Sequence, residues 1–176
     1  MTLLINVFHT TTIDAFKISA AVTISHICKL NQAIFPTFFE SITCKKYCQN
    51  LIEAQPWIQQ AFITMLNIEL NKGNNKILVN SLAEDPTFIQ ALHWLLIHDN
   101  IVIKGKAIIT ALLLFKMNPI WMVLVQEIKF YVTIDRMLKD NSKYIQYCLL
   151  SLIEGTIEAT NDAIKMIQND FDSFIS

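Results

Sequence analysis

The residues whose side chains could most readily carry out chemistry are cysteines on a predicted helix. Cys44 and Cys48 lie one helical turn apart, and His26 and Cys28 precede them in the chain. Thiolates and imidazoles are the usual zinc ligands, so these four side chains are the candidate metal site. Zinc sites usually have tighter paired spacings and glycine-containing turns, which this stretch lacks. We therefore predict no metal and no cofactor, with thiols that are buried and inert.

Thiol reactivity is the alternative to burial. Lys45 and Lys46 would lower the pKa of Cys44 or Cys48 if either thiol were exposed. With Cys148 there are four cysteines, so two disulfides are also conceivable. The start of the chain has neither the cationic lead nor the small-residue cleavage site of a secretory signal, which favours reduced thiols and a cytoplasmic location.

The other titratable residues suggest structural roles. His93 and His98 are five positions apart and do not share a helix face well. His98 lies near a predicted helix C-terminus, where its charged form would stabilise the helix dipole. Helix caps and solvated turns explain two acidic pairs, Glu84 with Asp85 and Asp170 with Asp172. Since no nucleophile elbow accompanies these groups, we predict that the protein is not an enzyme.

Composition leaves two broad classes open. Of the 176 residues, 53% are hydrophobic and 16% charged, and the mean hydropathy is +0.39. A membrane-associated helical bundle is one interpretation, but the apolar stretch 107–115 is closed by Lys106 and Lys116 and is too short to span a bilayer. We favour the other, helices buried on both sides by neighbouring helices. A net charge of −1 gives no basic footprint for nucleic acid.

The apolar residues recur every three or four positions, which predicts an all-α chain. The predicted helices are 2–9, 12–30, 32–54 with Pro36 as its candidate break, 56–71, 76–83, 86–98, 101–117, 119–139, 142–159 and 161–175. Asp85-Pro86 and Asn118-Pro119 put proline in the first turn of a helix. Asn161-Asp162 suits an N-cap.

One pattern recurs at a period of about 40 residues. Asp140 follows Asp99 by 41 residues, and Cys148 follows Ala107 by the same interval. Carried backwards, the reference positions are Ala20, Ala61, Ala107 and Cys148. Four residues earlier stand Phe16, Trp57, Ile103 and Tyr144; three later, Thr23, Thr64, Thr110 and Ser151; and four later, Ile24, Met65, Ala111 and Leu152.

These positions fall on one side of a helix. The small reference residues would let a neighbouring helix approach closely, and the large residues before them would fill the gap. The hydroxyls would bond to the carbonyl one turn back. A helical unit repeating at this period predicts a right-handed α-solenoid of the armadillo/HEAT type, with about four repeats in one domain over residues 1–176. Because both termini are apolar, we expect a segment of a longer solenoid, with pairing of the two ends to a partner as the alternative.

Three stretches carry a family resemblance: Ile101 to Ala107, Asn118-Pro119-Ile120-Trp121, and Asp135 to Asp140. They resemble the C-terminal armadillo/HEAT region of the Fused-like, unc-51-like kinases, a branch with a degenerate kinase domain. The likeness covers about 50 residues, and residues 1–90 match no motif of that family. It implies a non-catalytic scaffold, with tubulin or ciliary proteins as partners and a cytoskeletal or ciliary location. No phosphate-cradling loop or catalytic-loop motif of a kinase is present in the sequence.

Two further sets of residues are candidates for partner binding. The first is a basic edge formed by turns at 99–104 and 140–145 and made up of Lys104, Lys106, Lys139 and Lys143. It is either a solvated edge or a surface for an acidic partner such as a microtubule wall. The second is the tryptophans, which we predict to be core anchors rather than a binding ladder: Trp57, Trp94 and Trp121.

The sequence thus predicts a protein–protein interaction scaffold of undetermined oligomeric state. A membrane-associated bundle and a small helical enzyme with an unrecognised site are the alternatives. Convergence of His26, Cys28, Cys44 and Cys48 would favour the enzyme.

Overall fold

The computed structural model describes residues 2–31, 34–42, 44–71, 80–82 and 84–121, and separate positions between 135 and 161. Across these residues every regular element is a helix and none is a strand. The all-α prediction is therefore confirmed.

Seven α-helices and one 3-10 turn fall within the described ranges. They are α1 (Thr2–Thr10), α2 (Asp14–Leu30), α3 (Ile34–Glu40), α4 (Cys44–Glu53), α5 (Pro56–Asn71), α6 (Pro86–Leu96), α7 (Ile101–Met117) and the 3-10 turn Pro119–Trp121. The predicted bounds of α5 and α7 are confirmed, and α6 ends two residues earlier than predicted. The helices predicted at 76–83, 119–139, 142–159 and 161–175, with the cap at Asn161, lie largely outside the described residues.

The helix predicted over 32–54 is two helices, and the expected break at Pro36 is wrong. Pro36 lies in the first turn of α3, where backbone N–H groups have no intrahelical partner and proline costs little. The break comes after Glu40 instead. There, Ser41 Oγ donates to the Phe38 carbonyl at 2.6 Å, and this local bond closes the turn.

Side-chain caps define the starts of α6 and α7. Asp85 accepts a hydrogen bond from the backbone N–H of Thr87 at 2.8 Å, ahead of Pro86 at the first helical position. Asn100 Oδ1 accepts from the N–H groups of Val102 and Ile103, at 3.0 and 3.3 Å. The cap predicted at Asp85-Pro86 is confirmed. Asn118-Pro119 starts the 3-10 turn rather than an α-helix.

Three helices lie side by side in chain order. Helix α5 packs against α2 on one side and α7 on the other. Each of the three also packs on the helix that precedes it, which gives the pairs α1–α2, α4–α5 and α6–α7, and α4 additionally contacts α6. The second and third pairs, α4–α5 and α6–α7, are thus joined through both of their helices, whereas the first pair joins the second mainly through the packing of α2 on α5.

Helices α5 and α7 run in the same direction. Lys106 Nζ hydrogen-bonds to Thr64 Oγ1, and Thr110 Oγ1 lies 2.6 Å from Asn67 Oδ1. A step of three residues along α5 thus matches a step of four along α7. The two helices are parallel because each is the second helix of its pair.

The predicted small-residue positions are confirmed in all three described helices. Ala20, Ala61 and Ala107 are buried. So are the residues four positions later: Ile24, Met65 and Ala111. Cys148 and its column lie outside the described residues.

The prediction that large residues before the alanines fill the gap is wrong for two of three helices. Ile103 is fully buried, but Phe16 and Trp57 are 59% and 60% exposed. Runs of consecutive buried residues at 58–63 in α5 and 111–115 in α7 show that both helices are enclosed over their middle turns, whereas α2 keeps exposed residues along its length. Trp57 is exposed because it lies in the uncovered first turn of α5, and Phe16 because it lies on the solvent-facing side of α2.

An aromatic cluster joins the first half of the structure. The ring of Phe62 on α5 lies 5.4 Å from Phe8 of α1, 5.6 Å from Phe38 of α3 and 4.8 Å from Tyr47 of α4, centroid to centroid. Tyr47 also donates its hydroxyl to the Phe62 carbonyl at 2.7 Å. Tilted and edge-to-face contacts of this kind stabilise beyond area burial, so the short helices α3 and α4 are held by tertiary packing.

Candidate functional site

The cysteine cluster lies at the start of α4, against the N-terminus of α6. The Cys44 thiol is half-buried and hydrogen-bonds to the Asp85 carboxylate, while Cys48 is fully buried one turn later. Burial, followed by the bond to Asp85, raises the pKa of Cys44 far above its ordinary value. Burial raises the pKa of Cys48 to about 11. Both groups are therefore neutral thiols at physiological pH.

The pKa lowering expected from Lys45 and Lys46 does not occur. Both lysines are exposed, whereas the thiols turn inward. Desolvation of a thiolate outweighs the attraction of lysines that solvent screens. The thiols of Cys44 and Cys48 are therefore poor nucleophiles.

The four candidate zinc ligands do not form a site. Cys28 is buried in α2, and His26 is exposed on the same helix. Over the described ranges, no three His, Cys, Asp or Glu side chains form a group that would hold a metal ion. Cys28, Cys44 and Cys48 are not joined in disulfide bonds.

Asp85 has two partners, of which the sequence indicated one. The hydrogen bond from the Cys44 thiol is the main reason that the pKa of Asp85 lies below its usual value, and the Thr87 bonds contribute further. The cap is readable from Asp85-Pro86, but the thiol lies 41 residues upstream and only packing of α4 on α6 brings it close. The carboxylate orders a helix start, which is a structural role.

His98 has the opposite role from the one predicted. Its Nδ1 accepts the backbone N–H of Asn100 at 2.9 Å, which requires that nitrogen to be unprotonated. Burial lowers the pKa of His98, against a smaller raising effect from Asp99. A charged imidazole at the end of α6 is thus disfavoured, so the predicted dipole interaction is wrong.

No sequence motif marks His9, which follows Phe8 near the end of α1. Both ring nitrogens are buried, and neither has a hydrogen-bond partner within the described structure. Burial lowers the pKa of His9, and Lys46 and Lys17 lower it further. This imidazole packs as a neutral ring against Phe8, with centroids 5.5 Å apart.

A polar network fills the boundary between α5 and α7. Asn67 Nδ2 donates to the Lys106 carbonyl at 3.0 Å, and its Oδ1 lies 2.6 Å from the Thr110 hydroxyl. Thr110 also lies 3.0 Å from the Lys106 carbonyl, so its one proton is shared between two acceptors. Thr64 bonds to the Gln60 carbonyl at 2.6 Å.

The hydroxyl prediction is confirmed at Thr64 and Thr110, which both bond one turn back. Thr23 is exposed, and Ser151 lies outside the described residues. The sequence did not indicate the bonds between helices. Asn67 was missed because a single asparagine on a helix carries no periodic signal.

The four lysines of the predicted basic edge have different surroundings. Lys104 is half-buried in the first turn of α7. Lys106 is also half-buried, and its ammonium is bonded to Thr64. Lys139 is 72% exposed and forms an ion pair with Asp135 at 2.6 Å, one turn away. Lys143 is exposed.

The tryptophans divide between core and surface. Trp121 is buried, with its ring edge-on to Phe88 at 6.1 Å, and Trp94 is half-buried beside His98. The core prediction for Trp57 is wrong, because that side chain lies at the exposed start of α5. With Phe16 it leaves large aromatic surface in solvent at the same repeat position.

No described helix combines the length and hydrophobicity needed to cross a bilayer.

The chain matches no family model, no curated protein and no solved structure.

Proposed function

We propose that this protein is a non-catalytic scaffold that binds another protein along a stack of helical pairs. The stack is of the armadillo/HEAT type, a right-handed superhelix of about four repeats, and it presents a preformed surface to its partner. The observation that carries the proposal is the direct bonding of α5 to α7 through Asn67 and Thr110, which are 43 residues apart.

Contacts at one repeat period support the stacking. Besides Asn67 with Thr110, Thr64 bonds to Lys106 across 42 residues. Cys44 bonds to Asp85 in the other helices of the same pairs. Because equivalent helices of neighbouring pairs meet at this interval, each added pair extends the stack and its surface.

The character of the described side chains supports binding over catalysis. The cysteines at α4 are neutral and turned inward, and His98 is an acceptor for a backbone amide. Phe16 and Trp57, in contrast, expose large aromatic rings. Aromatic side chains in solvent are frequent anchors of protein interfaces.

For the partner we propose an acidic protein surface, with the microtubule wall as the first candidate. The likeness of residues 101–140 to Fused-like kinase repeats supports this choice, as do Lys104, Lys139 and Lys143. A cytoplasmic or ciliary location belongs to the same proposal. Lys106 and Lys139 contribute less, because the first is already bonded to Thr64 and the second forms an ion pair with Asp135.

Co-sedimentation with stabilised microtubules tests the partner. The full chain should pellet at low salt, and a Lys104→Glu/Lys143→Glu variant should bind about tenfold more weakly, since each reversed charge at an interface costs roughly 0.5–1 kcal/mol. Lys29→Glu/Lys45→Glu, which reverses two exposed lysines elsewhere, is the matched control and should pellet as the parent does. Equal loss in both variants, or no pelleting of the parent, would overturn the microtubule proposal.

A further inference from the structure

The turn between α6 and α7 contains one imidazole that is bonded to the backbone. His98 Nδ1 accepts the N–H of Asn100 at 2.9 Å, and Asn100 Oδ1 accepts the N–H groups of Val102 and Ile103. The cap of the most buried helix is thus itself held by a histidine. The Nδ1 position must carry a lone pair, so the neutral ring has its proton on Nε2.

Within the described residues, two charged groups act on this imidazole. Trp94 of α6 packs edge-on at 4.7 Å between ring centroids. Asp99 in the turn favours the protonated ring, and Lys104 on α7 disfavours it. Burial is the largest influence and also disfavours the charge. Protonation at Nδ1 would turn the hydrogen bond into an N–H facing another N–H, because an imidazolium has two donors and no acceptor.

We propose that the α6–α7 turn is a pH-sensitive element. Protonation of His98 releases the backbone N–H of Asn100 and loosens the first turn of α7. The proton comes from solvent, and no covalent bond changes. Loss of the bond frees Asn100 to leave its capping conformation, so the amides of Val102 and Ile103 lose their acceptor together.

The direction with pH follows from the depressed pKa of His98. The unfolded chain binds this proton near the ordinary histidine value of about 6.5, and the folded chain only at lower pH. The free energy of unfolding is therefore unaffected above that value and falls as the pH decreases towards the folded pKa. Local opening of the turn relieves the same conflict without global unfolding.

Amide hydrogen exchange on the full chain, followed by NMR between pH 8 and 5, tests this directly. After correction for intrinsic rates, protection at Asn100, Val102 and Ile103 should fall several-fold as the pH decreases below the ordinary histidine value of about 6.5. A His26→Gln variant, which removes an exposed histidine of α2, should behave as the parent does. A His98→Gln variant should show protection at these amides that no longer changes with pH.

Ring 15N shifts of His98 in the unmodified protein provide a second readout that needs no variant. At pH 8 they should show an unprotonated Nδ1 and a protonated Nε2, followed by titration below the ordinary value. An Nδ1–H tautomer at pH 8, or unchanged protection of Asn100 down to pH 5, would overturn the proposal.

Discussion

The hydroxyl of Thr110 on α7 lies 2.6 Å from the side-chain oxygen of Asn67 on α5. The same asparagine donates to the carbonyl of Lys106, so one side chain is bonded to both the backbone and a side chain of the neighbouring helix. Backbone polar groups inside a helix are already paired, and bonds of this kind therefore add specificity to how two helices align.

Replacing Asn67 with alanine should destabilise the protein by roughly 1–3 kcal/mol, because two part-buried hydrogen bonds are lost. Asn50→Ala is the matched control. Its side chain bonds only within its own helix, to Lys46 at an exposed site, and should cost no more than about 0.5 kcal/mol. Urea unfolding followed by circular dichroism measures both. Equal effects would mean that the bonds between helices contribute nothing specific.

Enlarging Ala107 to phenylalanine should lower the free energy of unfolding by about 1–3 kcal/mol, the range found for overpacked cores, and should lead to aggregation. Ala107 is fully buried in a helix that packs against both α5 and α6. The same substitution at Ala15, which is exposed on α2, should leave the melting temperature within a few degrees of the parent. Tolerance of Ala107→Phe would contradict close packing at the reference position.

Removing the Tyr47 hydroxyl should cost about 1 kcal/mol, since its hydrogen bond to the Phe62 carbonyl is buried. Tyr47→Phe keeps the ring contacts with Phe62 intact. Tyr147→Phe, at a tyrosine that is 61% exposed, is the control and should be neutral. Thermal melts distinguish the two variants.

Asp85 should make the free energy of unfolding depend on pH in the acidic range. Its pKa lies below the ordinary value, mainly because of the Cys44 thiol, so its contribution is present above about pH 4 and is lost as the pH falls through the folded pKa. Asp85→Asn retains a capping oxygen but should lose this part of the acid dependence. Asp85→Ala should lose the cap as well, at about 0.5–2 kcal/mol at neutral pH. Identical pH profiles for Asp85→Asn and the parent would contradict the assignment.

The thiols at α4 should react slowly in the folded protein. With pKa values above the ordinary range, Cys44 and Cys48 hold little thiolate at pH 8, so alkylation by iodoacetamide should be at least about tenfold slower than in denaturant. Trypsin cleaves at Lys45 and Lys46, which separates the two cysteines for mass spectrometry.

In the Asp85→Asn variant, Cys44 should become more reactive because its carboxylate acceptor is gone. Rapid native alkylation of either thiol in the parent would indicate that the thiolate is accessible after all.

The sequence alone determined the helical class and several boundaries. Apolar residues at three- and four-residue intervals define α5 and α7 to the residue, and Asp85-Pro86 identifies a cap, because propensity and capping act over a few neighbouring positions. The interval near 40 residues located three buried alanines correctly.

Only the tertiary structure decided which sides of those helices meet neighbours. Phe16 and Trp57 occupy the same repeat position as Ile103 but remain exposed, since burial depends on whether tertiary packing covers that particular turn of the helix. The Cys44–Asp85 and Asn67–Thr110 contacts and the acceptor role of His98 likewise depend on groups brought together by packing or turn geometry. Local sequence patterns determine which segments form helices. Long-range contacts determine the partners, protonation and exposure of each side chain.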